Sequence, residues 1–363
     1  VAQGDVRDPA SWSGSPAGIC AGLDSLGVEV VAVNAQPAGT QRLSRLLRRP
    51  WTWEATNPVL AASSGLKADL TIRRAGVDGV IAIGSGYLLR GRTPFVTFDD
   101  ETVAQARRQP TMAAYQLGQR QADRWRRRQR RIYEQSRGCG AGSAWIGKSV
   151  RDDYGIDPAK IHVVGFGRNL DAVSPERDWS VPRYLFLGVD WELKRGPAVL
   201  AAFEEVRRRH PEATLDIAGE HPPLEVEGVS GHGRLALGSA SDRAKLAELL
   251  SRATCLTVPS TREAFGIAYI DAGACGIPSI GTTVGGAPET IGEGGLVVAP
   301  DDHDGLVAAM LEMADPMTAK RYGERALARS ALFTWPAVAE RLLRALRPPG
   351  VDLASLTDFI DAR

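Results

Sequence analysis

Twice along this chain, short runs rich in Val, Ile and Leu alternate with segments whose apolar residues recur at helical spacing. That rhythm constrains the fold most, because strands separated by helices cannot pair through tight turns and must cross over into parallel sheets. In the first half the expected strands are residues 28–33 (VEVVAV), 79–83, 95–98 and 161–164. A long helix is expected at about 112–135, and GSAWIGKSVRDDYGI then reads as a short strand, a turn at Ser143 and a helix closed at Gly155. The polar stretch GRNLDAVSPERDWSVP, residues 167–182, reads as a linker, after which strands are expected at 184–187, 214–217, 254–258, 279–281 and 296–298. At 363 residues the chain is too long for one ordinary core. The expected fold class is therefore α/β, two doubly wound Rossmann-like domains facing across a cleft. Residues 1–170 form the first, 171–345 the second, and a helix at about 346–363 packs back on the first.

In such an arrangement ligands bind where the carboxyl ends of the strands face each other, so the chemistry belongs at strand-to-helix turns. Three turns of the second half carry suitable residues. In FLGVDWELKRGPAVL a strand ends at Gly188, and Lys194 and Arg195 precede a helix start. Cations beside free helix amides suit a phosphate or diphosphate, and a solvated basic pair is the plain alternative. In PSTREAFGIAYIDAGACGIPSIG, residues 259–281, Glu263 sits before a helix opened by Phe265, Gly266 and Ile267, and Asp271 follows two turns on. Gly266 leaves the backbone open to a ligand. Read from packing alone, Glu263 caps the helix and Asp271 is a polar-face residue; read as a site, both face one cleft. The third turn, TVGGAPETIGEGG, places Glu289 after a tight glycine turn and reads equally as structural or binding.

The order of these three turns resembles the second half of glycosyltransferase family 4, the retaining GT-B enzymes, over about residues 183–345. The resemblance is weaker in DPASWSGSPAG and GSAWIGKSVRDDYGIDPAKIHVVGFGRNLD. It implies that Glu263 contacts hydroxyls of a donor sugar, that the amides of Phe265, Gly266 and Ile267 approach sugar and diphosphate, and that Asp271 holds the ribose diol. Lys194 and Arg195 are both carried as diphosphate ligands, since aligning from Gly188 selects the first and counting back from Gly196 the second. Gly14 matches the glycine turn near the reacting centre. Two departures stand out: the family usually has Glu where Asp271 stands, and often Arg where Val189 stands.

The implied activity is retaining transfer of a sugar from a nucleoside diphosphate donor to an acceptor hydroxyl, with no cofactor besides the donor. The acceptor, a lipid, a polysaccharide or a small natural product, is expected on the first domain. There Asp99 and Asp100 end a strand, where they orient an acceptor or cap a helix, and Trp12 and Ser13 lie on the same side. A non-catalytic scaffold with a weakened donor site is the alternative that Val189 and Asp271 suggest. A sugar-nucleotide epimerase would call for a different acid and His arrangement. A dinucleotide oxidoreductase is set aside because GSGYLL, from Gly84, lacks the third glycine.

Composition narrows the partners. Residues 1–170 carry 24 Lys and Arg against 15 Asp and Glu, while the remainder carries 20 against 28. The basic half is where an anionic ligand or membrane surface is expected, through QRLSRLLRRPWTW from residue 41 and RQADRWRRRQRRIYEQSR from residue 120, although solvated helices explain both as simply. Aromatic residues are not interleaved as a stacking platform, which argues against nucleic acid. No run of eighteen apolar residues and no basic-then-apolar leader is present, so a cytoplasmic protein, peripheral to a membrane at most, is expected. Four scattered cysteines suggest reduced thiols, and five histidines without ligand spacing give no metal site.

Overall fold

The computed structural model describes residues 1–9, 11–40, 46, 55–108, 118–170, 172 and 177–347. The first sheet has four parallel strands in the order β1 (Val80–Ile83), β2 (Phe95–Asp99), β3 (Gly138–Ala141) and β4 (Ile161–Val163). Around it run α1 (Ser15–Ser25), α2 (Pro58–Ala75), α3 (Val103–Arg108), α4 (Gln119–Gln135) and α5 (Ala144–Tyr154). Ser143 caps α5 through its hydroxyl, and Gly155 ends it in a left-handed conformation, as the sequence implies. The amino-terminal portion of the long helix, 112–117, and the basic stretch from residue 41 to 53, apart from residue 46, lie outside the described residues.

One expected strand is absent. Residues 28–33 run without ladder pairing, and the nearby bridge joins Ala2 to Asn34. Val1 and Ala2 lie between these residues and β1: the Val1 nitrogen donates to the Ile81 carbonyl and the Val1 carbonyl accepts from the Ile83 amide, while Ala2 bonds Val33 and Ala35. Residues 28–33 and residues 79–81 and 83 line a common cavity of about 600 Å³.

The second sheet has six parallel strands in the order β10-β9-β8-β5-β6-β7: β5 (Arg183–Gly188), β6 (Thr214–Gly219), β7 (Val229–Gly231), β8 (Cys255–Thr257), β9 (Ser279–Thr282) and β10 (Gly295–Val298). Its helices are α6 (Gly196–Arg207), α7 (Ala240–Arg252), α8 (Ile267–Ala274), α9 (Ala287–Ile291), α10 (His303–Ala314) and α11 (Pro316–Ser330). Strand β7 was not foreseen, because VSG carries no β-branched run. Order reverses between β5 and β8, and that switch point opens on the cleft.

The chain then returns to the first domain through α12 (Trp335–Leu346), which packs on α1, β2 and β3. The contact is close because two glycines of α1 face it. A Cβ on Gly18 would meet the Trp335 ring at 2.1 Å, and one on Gly22 the Trp335 carbonyl at 2.3 Å. Residues 348–363, most of the segment where the sequence suggests a returning helix, lie outside the described residues. An aromatic seam joins the domains: Phe98 meets Phe166 at 5.0 Å between ring centroids, Phe166 meets Phe265 at 4.6 Å, and Phe265 meets Phe333 at 5.7 Å. Such stacked and edge-on pairs hold orientation as well as area.

Candidate active site

Between the carboxyl ends of the two sheets lies a cleft of about 360 Å³, walled by both domains. On the second-domain side, the loop after β5 brings Lys194 over the cleft, where its Nζ lies 2.5 Å from Glu263 Oε2. The Ser260 hydroxyl donates to the same oxygen at 3.2 Å. Both charged side chains are largely buried, at 23% and 12% exposure, so their attraction is little screened. Arg195 takes the left-handed cap position of α6 and turns its guanidinium to Asp301, 3.6 Å away; it does not line the cleft. The two cations that sequence could not separate therefore point to different places, because Arg195 must turn the chain into α6.

Glu263 is positioned by backbone on two sides. Gly266 begins α8 with φ +95°, and a side chain there would strike Tyr269 at 2.3 Å. Gly285, in the GGAPE turn, presses so close that a Cβ would fall 1.6 Å from the Glu263 carbonyl, which also accepts from the Gly286 amide at 3.2 Å. Phe265 and Ile267 line the cleft beside Gly266, although the Phe265 ring belongs to the aromatic seam. The first amides of α8 carry no side-chain cap, so the helix start presents donors to whatever occupies the cleft. Val189 lines the wall at 57% exposure and supplies no charge.

Asp271 lines the cleft as well, but one of its oxygens is engaged. Its Oδ1 accepts from the amides of Asn169 at 2.8 Å and Leu170 at 3.1 Å, both in the crossover between the sheets. Burial pushes its carboxyl up to about 7, against the pull of those two amides and Arg168. Two further carboxylates tie the domains together, and neither was foreseen in that role. Glu289 accepts from the Ala144 amide at 2.7 Å and thus caps the start of α5 in the opposite domain. Glu101, following β2, pairs with Arg262, the residue before Glu263, with both side chains under 10% exposed. Burial raises Glu101 to about 7 despite that guanidinium.

On the first-domain side the two adjacent acids part company. Asp100 lines the cleft, whereas Asp99 is 4% exposed and lies behind β2 among Tyr133 and Gln129, its carboxyl pushed up to about 7 by burial. Asp99 is therefore not a cleft residue, a correction that follows from side chains alternating across the end of a strand. Trp12 and Ser13 do line the cleft, and both hold left-handed backbone, φ 50° and 54°, followed by Gly14 at 83°. For the two non-glycine residues that conformation costs about 1–2 kcal/mol each. It is held by the Trp12 indole, which donates to the Gln3 carbonyl at 3.0 Å, and by the Asn169 amide group, which donates to the Ser13 carbonyl at 2.7 Å. Asn169 carried no signal of its own in the sequence.

Among the described residues no cluster of His, Cys, Asp and Glu could hold a metal ion, the four cysteines are free and buried, and no helix is long and apolar enough to cross a membrane. The basic helix α4 buries Trp125, Ile132 and Tyr133 and turns Arg126 onto the Tyr154 ring, leaving Arg120, Arg124, Arg127 and Arg131 exposed.

Residues 181–315 match the family described as glycosyl transferases group 1. A D-inositol 3-phosphate glycosyltransferase of Segniliparus rotundus is 31% identical over 218 residues, covering 53% of this chain and 48% of that protein. A glycogen synthase of Mycobacterium tuberculosis is 34% identical over 219 residues, covering 54% and 50%. The chain thus spans about half the length of the curated relatives it matches. In fold, a glycosyltransferase from Rickettsia africae superposes with a TM-score of 0.62 at 17% identity, over 90% of this chain and 91% of that one. A sucrose-phosphate synthase from Thermosynechococcus elongatus gives 0.60 at 20% identity, over 78% and 77%. The two-domain GT-B architecture is therefore that of this chain.

Proposed function

We propose that this chain, which carries a glycosyl transferases group 1 domain over residues 181–315, transfers a sugar from a nucleoside diphosphate donor to an acceptor hydroxyl with retention of configuration. The observation that carries the reading is the Lys194–Glu263 pair set against the uncapped start of α8 inside the interdomain cleft. A cation and aligned amides are what a departing diphosphate needs, because they meet charge that grows as the glycosidic bond lengthens. Lys194 shifts to the diphosphate as donor binds, freeing Glu263 to accept from sugar hydroxyls. The second oxygen of Asp271 takes the ribose diol, and Asp100 orients the acceptor from the facing wall.

In a front-side route the acceptor oxygen bonds to the anomeric carbon on the face from which the diphosphate leaves. The bond from that carbon to the phosphate oxygen breaks with its electron pair, and the acceptor proton passes to the departing phosphate. A glycosidase-like double displacement would need a second carboxylate about 5–5.5 Å from the first across the sugar; the partner of Glu263 is a lysine. The exposed arginines of α4 favour an anionic acceptor or a peripheral anionic membrane surface, which liposome flotation with and without acidic lipid separates.

The test is a panel of nucleotide sugars, read by donor-dependent thermal stabilisation and by nucleotide release. The reading expects both with at least one donor, and expects release to be lost in Glu263→Ala. Release that survives the substitution removes Glu263 from the site, and no stabilisation by any nucleotide favours a non-catalytic scaffold.

A further inference from the structure

The strained turn at the first-domain edge and the acid at the donor side are joined by a single residue. Asn169 lies in the crossover between the sheets, half-buried, and lines the cleft. Its backbone amide is held by Asp271 Oδ1 at 2.8 Å, and the next amide, of Leu170, binds the same oxygen at 3.1 Å. Its side-chain Nδ2 donates to the Ser13 carbonyl at 2.7 Å. Its Oδ1 lies over Gly14, where a Cβ would stand 3.0 Å away, so the glycine permits the close approach.

We infer that Asn169 is a positioning residue that transmits the placement of Asp271 to the Trp12–Ser13–Gly14 turn, setting the first-domain edge of the cleft in register with the bound donor. Three consecutive left-handed residues persist only where neighbours over-determine them, and the tie to Ser13 is the one that comes from the interdomain crossover. The turn also starts α1, whose first amides have no side-chain cap, so a shift at Ser13 moves that helix start. Any change at Asp271 on engaging a ribose therefore reaches the facing wall through two hydrogen bonds and one side chain. The inference rests on the donor reading given above for its kinetic consequence, but the mechanical link does not.

Asn169→Asp is the sharp variant, because it keeps the shape and replaces the Nδ2 donor with an oxygen facing the Ser13 carbonyl. Kinetics on the donor that the wild type turns over should show kcat reduced about 10- to 100-fold, the effect of a small misplacement near the reacting atoms, with donor KM changed less than about threefold. Hydrogen exchange over residues 11–15 should rise while exchange over α8 stays at the wild-type level. An unchanged kcat, or a loss confined to KM, overturns the inference, as does equal loosening of the whole protein. Exchange in Asp271→Ala without ligand supplies the independent arm: faster exchange at both 169–170 and 11–15 supports the link, and an unchanged 11–15 overturns it. If the wild type turns over no nucleotide sugar, the proposed function fails while this exchange arm still decides the role of Asn169.

Discussion

The two walls of the cleft are built by different means. On the second-domain side several cleft groups sit in strand-to-helix turns: Ser260, Glu263 and Gly266 act within one loop, and Lys194 lies two residues before α6. On the first-domain side nothing local suffices. The turn at Trp12–Gly14 is held from Gln3 and from Asn169, and α1 behind it is packed by α12, over three hundred residues along the chain. The difference teaches that the residue types of the second-domain wall are set turn by turn, whereas the first-domain wall is held by segments from distant parts of the chain.

The comparison predicts where substitutions act, and the largest effect belongs to the second-domain wall. Glu263→Ala should lower kcat about 100- to 1000-fold, the scale of losing one preorganised contact to the transition state, with the fold intact by circular dichroism. Next, Lys194→Ala should weaken nucleoside diphosphate binding about 10- to 100-fold, the worth of about 1.5–3 kcal/mol for a charged hydrogen bond, in a titration where Arg195→Ala changes binding less than threefold. Equal effects at both positions would erase the distinction drawn between them.

Across the molecule, Gly18→Val should destabilise the protein by about 1–3 kcal/mol, since its Cβ has no room beside Trp335. Chemical denaturation measures this, and an unchanged midpoint would mean that the α1–α12 contact does not hold the first-domain wall. A smaller effect is expected of Val189→Arg, which adds a cation to the exposed wall beside Lys194 and should tighten diphosphate binding by roughly fivefold, about 1 kcal/mol.

The most modest effect is a pH slope. Burial pushes the carboxyls of Asp271, Glu101 and Asp99 up to about 7, above their usual range, so between about 4 and 7 the folded state holds protons that the unfolded chain has released. Stability should therefore be greatest below that window and fall as pH rises through 7, by at most about 1.4 kcal/mol per pH unit for each group. Asp271→Asn, which keeps an acceptor for the crossover amides, should make the fall of the melting temperature between pH 5 and 8 shallower, leaving the share of Glu101 and Asp99. A wild-type profile that is already flat there would contradict the burial of these carboxylates.

Much of the fold was legible because parallel α/β architecture writes itself locally. The strands from β1 onward fall within a residue or two of their expected places, apart from β7 and the short β3, since apolar runs bounded by turns need only neighbours in the sheet. Residues 28–33 carry the same signal and form no ladder, because pairing depends on what lies beside them and not on the run itself; the bridge next to them joins Ala2 to Asn34. At the site, the sequence by itself determined the residue types of the second-domain turns and their order, because glycine at a helix start and an acid before it have local physical causes.

Only tertiary structure decided their partners. It turned Lys194 onto Glu263 and Arg195 to Asp301, and sent Asp99 behind the sheet while leaving Asp100 at the cleft. It also gave Asp271, Glu289 and Glu101 contacts across the domains. The contacts among them join residues 69 to 161 positions apart. No spacing along the chain encodes such distances, and packing alone sets them.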